Sequence, residues 1–266
     1  MNIITILSVV FAIVMIWGNI QSKKKNAEWG KSVSILCGIA VICLTFWNLL
    51  GPKKSIGEHA RERETAYDSA RAMILANYLS NLDPGAKRCL IINDKNRPEK
   101  AVIEAIKKGL GSRVSTVIIE PIVPDAGPEF DVEMATADDY NNILKRHEDA
   151  DIVISLISLP YDEEELYSIS LFQTIEDKDN PGTYIRDPEK KFPLFGLYRG
   201  RLKTCGLLLE DEFLNATTII SPTPTLDPKY IPTENVKEAF DRRYLLVNPQ
   251  NLASIDEKLA KKKKKK

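Results

Sequence analysis

Two uncharged apolar runs near the start of the chain, residues 3–20 (IITILSVVFAIVMIWGNI) and 33–50 (VSILCGIAVICLTFWNLL), limit what this sequence can fold into more than any other feature. Each is about eighteen residues, so as a helix rising ~1.5 Å per residue it reaches about 27 Å, close to the ~30 Å hydrocarbon thickness of a bilayer. Neither run has the polar face needed by a helix lying on a water-soluble domain. Trp17 and Trp47 each stand near one end of a run, where an amphipathic ring favours a membrane interface. The expectation is a two-helix transmembrane hairpin over residues 1–52, with spans at about 3–20 and 33–50 and the lipid bilayer as its partner. A cleaved leader is the other use for the first run, but that run lacks a basic start and ends without a small-residue cleavage pattern.

The turn QSKKKNAEWGK, residues 21–31, supplies the orientation. Only the amino group precedes the first span, and Lys23, Lys24 and Lys25 follow it, so the excess of positive charge places the turn in the cytoplasm. The second span is nearly balanced, because Lys53, Lys54, Arg61 and Arg63 lie beyond it, mixed with Glu58, Glu62 and Glu64. The first span therefore decides, and the rest of the chain is expected outside the cytoplasm.

Beyond the spans, about 215 residues remain, enough for one core of ordinary size. Residues 53–84 read as a polar stalk running into an amphipathic helix, with Tyr67, Ala70, Ile74, Tyr78 and Leu82 at helical spacing until DPG at 83–85 stops it. From 85 to 258 the pattern alternates. CLIIND (89–94) and VSTVIIE (114–120) are β-branched runs separated by RPEKAVIEAIKKGLG, which has Pro98 in its first turn and Gly109 and Gly111 at its exit. Thr136 with Asp139 forms a capping pair ahead of ADDYNNILKRHEDA. Further strands are expected at 151–159, 192–198, 217–221 and 244–248. RLKTCGLLLEDEFL, TENVKEAF and NLASIDEKL supply the later helices, and the breaker-rich stretch 175–191 forms a long loop. The implied fold class is α/β, a Rossmann-like three-layer domain with a mostly parallel sheet of about five or six strands.

Charge narrows the partners. Lys+Arg and Asp+Glu both total 37, so there is no basic excess of the kind that marks a nucleic-acid-binding domain. The exception is the end, KLAKKKKKK, whose residues 259–266 are expected to be a disordered polylysine tail able to hold an anionic surface. Four cysteines without a CxxC pair, and two histidines, His59 and His147, offer no structural zinc site. Cys89 and Cys205 read either as free buried thiols or as a disulfide.

In an open parallel sheet, ligands bind beyond the carboxyl ends of the strands. Here those ends present Asn93, Asp94, Lys95, Glu120, Ser158, Arg199, Ser221 and Thr223, a polar rim suited to a small polar ligand. No G-x-G-x-x-G follows the first strand, and WGKS at 29–32 lacks the earlier glycine of a phosphate loop. Neither G-x-S-x-G nor H-E-x-x-H occurs, and RHEDAD at 146–151 reads as a solvated helix end. No metal or cofactor is expected. The course from Lys87 to about Pro222, and KRCLIINDKNRPEKAVIEAIKKGLGSRVSTVII within it, resembles one lobe of a periplasmic sugar-binding-type domain. That resemblance implies ligand binding, although such domains carry two lobes around a cleft.

The functional expectation is a membrane-anchored, non-enzymatic α/β domain that binds a small polar ligand or a partner protein at the cell envelope. A metal-dependent hydrolase or phosphotransfer enzyme using Asp94 and Glu120, and a structural subunit of a membrane complex, are the alternatives. Single cysteines placed in the 21–31 turn and in the α/β domain test the topology. In intact cells, a membrane-impermeant maleimide should label the second and spare the first, and labelling of the turn alone would reverse the orientation.

Overall fold

Both apolar runs form helices. In the computed structural model, which describes residues 3–25, 28–50, 56–122, 135–160, 162–176, 178, 184–225, 230, 232 and 235–255, they are α1 (Ile3–Lys25) and α2 (Glu28–Leu50). They belong to the first of two compact units, Met1–Ala60 and Arg61–Lys266. A Cβ added at Gly30 would lie 2.7 Å from the Gly18 carbonyl oxygen and 2.9 Å from the Ser22 amide nitrogen, so the two backbones touch where neither helix carries a side chain. The Trp17 and Trp29 rings lie 5.7 Å apart beside this contact. Val9, Ile13, Ile16, Ile35, Leu36 and Ile39 are exposed.

Side chains are described without interruption over 9–23 in α1 and 29–44 in α2. Among the described residues no helix is long and apolar enough to cross a membrane. The two runs of the expected transmembrane hairpin thus form helices in contact with each other. The Trp47 side chain and the polylysine tail lie outside the described residues.

In the second unit, apolar runs become strands and amphipathic runs become the helices that cover them. The order is β1 (Arg88–Asp94), α4 (Lys100–Leu110), β2 (Thr116–Ile122), α5 (Ala137–Arg146), β3 (Ile152–Ser155) and α6 (Glu163–Tyr167). Then come β4 (Ile175–Glu176), β5 (Tyr184–Ile185), β6 (Leu194–Leu197), α7 (Leu202–Glu210), β7 (Ala216–Ile220), α8 (Val236–Arg243) and β8 (Tyr244–Val247). α3 (Ile56–Leu82) precedes them all. Six strands form one sheet in the order β2-β1-β3-β6-β7-β8, and β4 and β5 pair as a small antiparallel ribbon inside the expected long loop. α5 opens with the anticipated capping box, in which Thr136 accepts from the Asp139 amide and Asp139 accepts from the Thr136 amide.

The sheet is parallel from β2 to β7, and β8 runs against β7. α8 returns the chain to the edge at which β7 ended, where the Ser221 amide donates to the Arg243 carbonyl at 2.8 Å. A strand starting from that edge has no course open but the reverse one. Alternation along β1 sends Cys89 and Ile91 to one face of the sheet, against α3 and α4, and Leu90 and Ile92 to the other, against α5 and α7. Cys89 therefore packs in one core and Cys205 in the other, and both are free thiols.

Two glycines let α3 and its neighbours close up. Gly196 on β6 faces Leu75 and Leu79, which occupy the space a Cβ would take. A Cβ at Gly109 on α4 would meet the Met73 carbonyl oxygen of α3 at 2.5 Å. Alanine should favour either helix by ~1 kcal/mol over glycine, yet at Gly109 backbone opposes it. Gly109→Ala should therefore lose about 1–2 kcal/mol by urea denaturation. Gly206→Ala on α7, where a Cβ meets nothing within 4 Å, should gain up to ~1 kcal/mol.

Candidate ligand site at the carboxyl edge

β1 lies between β2 and β3, and the chain leaves β1 in one direction along the sheet and β3 in the other. Such a reversal opens a crevice at the carboxyl ends of the two central strands. Asn93 and Asp94 close β1 there and are only 5% and 7% exposed. Asp94 accepts the Asn96 amide at 2.7 Å through Oδ1, a turn that lifts the chain out of the strand. Among the described residues its Oδ2 is buried without a partner, and so is Asn93 Oδ1.

The other rim residues divide. Lys95 donates its amide to the Ile122 carbonyl at 2.8 Å and leaves its side chain exposed. Ser158 is half-buried beyond β3. Ser221 accepts the Thr223 amide at 3.2 Å, but both lie at the end of β7, three strands and therefore ~14 Å along the edge from β1. Glu120 does not end its strand, because β2 continues to Ile122. Its carboxylate is held by His147 at 2.7 Å and Arg146 at 2.9 Å, and these contacts keep it below the usual glutamate range, the His147 hydrogen bond contributing most. The RHEDAD segment is thus a helix end fastened to the edge strand.

Arg199, just past β6, reaches back toward β1. It pairs with Glu99 at 2.7 Å and lies 3.7 Å from Asp68 of α3. Glu99 stands at the N-cap of α4, where its side chain makes no capping bond. Its Oε1 engages Arg199, and its Oε2 is buried without a partner among the described residues. Burial raises the Glu99 carboxyl, with Arg199 opposing. The Arg199 guanidinium is raised because Glu99, Tyr198 and Asp68 together outweigh its own burial, the largest single influence.

Beneath this pair lies Arg71 of α3, 5% exposed. It donates to Thr218 through Nε at 2.7 Å to the hydroxyl and through Nη2 at 2.5 Å to the carbonyl. The rings of Tyr198 and Tyr244 flank it at 4.9 and 4.7 Å. The Tyr198 hydroxyl donates to the Asp68 carbonyl at 3.1 Å and the Tyr244 hydroxyl to the Asp68 carboxylate at 3.2 Å. Burial pushes the Tyr244 hydroxyl up to about 12.

Asp68, Arg71 and Glu99 are absent from the rim read off the strand ends, since two of them come from a helix. Arg71 does carry a sequence signal, a charge between Ala70 and Ala72 on the face that α3 buries.

Among the described residues the carboxyl edge thus holds three buried acceptor oxygens without donors, on Asn93, Asp94 and Glu99. An unpartnered buried polar group costs about 1–3 kcal/mol. A bound hydroxyl or ammonium would satisfy any one of these oxygens, whereas a carboxylate would meet repulsion at Asp94 and Glu99. Among the described residues no three His, Cys, Asp or Glu side chains group as a metal site.

No family model matches the sequence, and no curated protein matches it. Solved structures with a similar course include a glucose-galactose binding protein, GanP, of Geobacillus stearothermophilus, at 12% identity over 70% of this chain and 61% of that one, with TM-score 0.42. The arabinose binding protein AraP of the same organism matches at 10% identity over 71% and 63%, with TM-score 0.44. The myo-inositol binding protein of Caulobacter matches at 13% over 71% and 61%, with TM-score 0.39. This chain spans about three-fifths of the length of each.

The raised Glu99 carboxyl has a pH consequence. The folded state holds that proton more firmly than the unfolded chain, so the contribution is fully present below the ordinary ~4.3 and is lost as pH rises through the folded value. Glu99→Gln should therefore lose less stability than the parent between pH 4.5 and 7, read from urea midpoints at the two pH values.

Proposed function

We propose that the α/β unit binds, without chemical turnover, a small polar ligand that donates hydrogen bonds, a polyol or an amine, at the carboxyl edge of β1. The observation that carries this reading is the set of unpartnered buried oxygens on Asn93, Asp94 and Glu99, all at one edge of the sheet. Arg199 serves as a positioning residue, holding Glu99 with one oxygen engaged and the other free. Glu120, the second carboxylate of the metal-enzyme alternative, is engaged by His147 and Arg146, which supports the binding reading.

The same reading places α1 and α2 in a membrane of the cell envelope, with the lysine turn in the cytoplasm and the α/β unit outside. Its support is the sequence of the two runs and the exposed Ile13, Ile16, Ile35, Leu36 and Ile39, a surface suited to lipid or to the helices of another membrane protein.

Asp94→Asn keeps the oxygen that accepts from Asn96 and replaces the free one with a donor. Calorimetric titration of the full chain with aldoses, cyclitols and alkylamines should find a ligand that the parent binds and that Asp94→Asn binds at least a hundredfold more weakly. The variant's own urea midpoint should stay close to that of the parent, since it keeps the bond from Asn96 and exchanges one buried oxygen for an amide nitrogen of similar size. Failure of every compound to bind the parent, or equal binding to the variant, would overturn the assignment.

A further inference from the structure

We infer that the opposite, amino edge of the sheet carries a second binding site, for a small organic anion with an apolar body. A cavity of about 450 Å³ opens where α5 ends and β6 begins. That volume falls in the range of small-molecule sites. Leu144, Leu171, Phe192 and Pro193 make its apolar surface, and Lys145 and Lys190 stand on its wall.

The polar groups of the wall fall into two sets. His147 is bound to Glu120 at 2.7 Å, Lys191 to Asp151 at 2.7 Å, and the Asn141 amide to the Ser168 carbonyl and the Ser170 amide. These build the wall. Lys145 and Lys190 have no side-chain partner among the described residues, and Glu148 is the one acidic residue of the lining. Two free ammonium groups against one carboxylate leave the mouth with a positive excess.

A third cation adjoins the same apolar surface. The Arg186 guanidinium lies 4.4 Å over the Phe192 ring and donates to the Leu171 carbonyl at 3.4 Å, which fastens the segment after β5 against two residues of the lining. Its Nε is buried without an acceptor among the described residues. The two edges of the sheet are thus opposite in kind. The carboxyl edge holds acceptors without donors, and the amino edge holds free donors beside an apolar floor. An aromatic or aliphatic body fills the floor while a carboxylate or phosphate group meets the lysines.

The full chain in amphipol, titrated with benzoate, phenyl phosphate, benzyl alcohol and benzylamine by calorimetry and saturation-transfer NMR, tests this site. Benzoate or phenyl phosphate should bind saturably, with the alcohol and the amine at least tenfold weaker. Comparison of the two anions tells a carboxylate site from a phosphate site. The exposed pair Lys145→Glu/Lys190→Glu should weaken the preferred anion at least tenfold, while Lys107→Glu/Lys108→Glu, the same charge change on the exposed face of α4, should leave it within twofold. Saturable binding of neither anion, equal binding of benzyl alcohol, or an unaffected double variant overturns the proposal.

Discussion

One buried guanidinium holds the α/β unit in register. Arg71 leaves α3, passes between the rings of Tyr198 and Tyr244, and donates to the hydroxyl and carbonyl of Thr218 on β7. A charge this deep is tolerated only with its hydrogen bonds made, so the position of α3 along the sheet is fixed by geometry as well as by apolar contact. Burial lowers the pKa of the guanidinium, and the tyrosines and Asp68 act against that. With Arg71 in place, Asp68 falls beside both tyrosine hydroxyls and near Arg199, and Arg199 in turn reaches Glu99. The charged cluster at the carboxyl edge is built outward from this tie.

The elements that reported themselves in the sequence are those whose causes are local. β1 is a continuous apolar run because both of its faces are covered, and α5 begins where Thr136 and Asp139 can cap each other. The reversed direction of β8 depends on where α8 delivers the chain, a property of the assembled sheet. Glu120 shows the same limit at the site. An apolar run marks its strand, but the strand continues through Pro121 and Ile122 because β1 pairs with it to the end. Its partners His147 and Arg146 lie more than two dozen residues away. Asn93 and Asp94 could be read from the strand end, whereas Glu99 and Asp68 became visible only once α3 and α4 were set on the sheet.

Two neighbouring strand ends of the carboxyl edge differ in how their polar groups are satisfied. At β3, Ser155, Tyr140 and Ile157 form a closed network: the Ser155 and Tyr140 hydroxyls lie 2.8 Å apart and both reach the Ile157 carbonyl. No donor is left over there. Immediately beside it, Asn93 and Asp94 keep unpartnered oxygens at more than nine-tenths burial. A sheet able to close one strand end so fully leaves the neighbouring one open within ~5 Å, and the proposed ligand site rests on that contrast.

The contact between Gly18 and Gly30 has a different consequence. It is made by backbone against backbone, so its strength comes from close van der Waals approach and draws little on the expulsion of water. Most helix pairs change their affinity when the medium around them changes from water to hydrocarbon, because the reference state changes with it. A pair joined at two glycines is far less sensitive to that exchange. The approach of α1 to α2 at this point is therefore set by the two glycines themselves, whatever medium surrounds the pair.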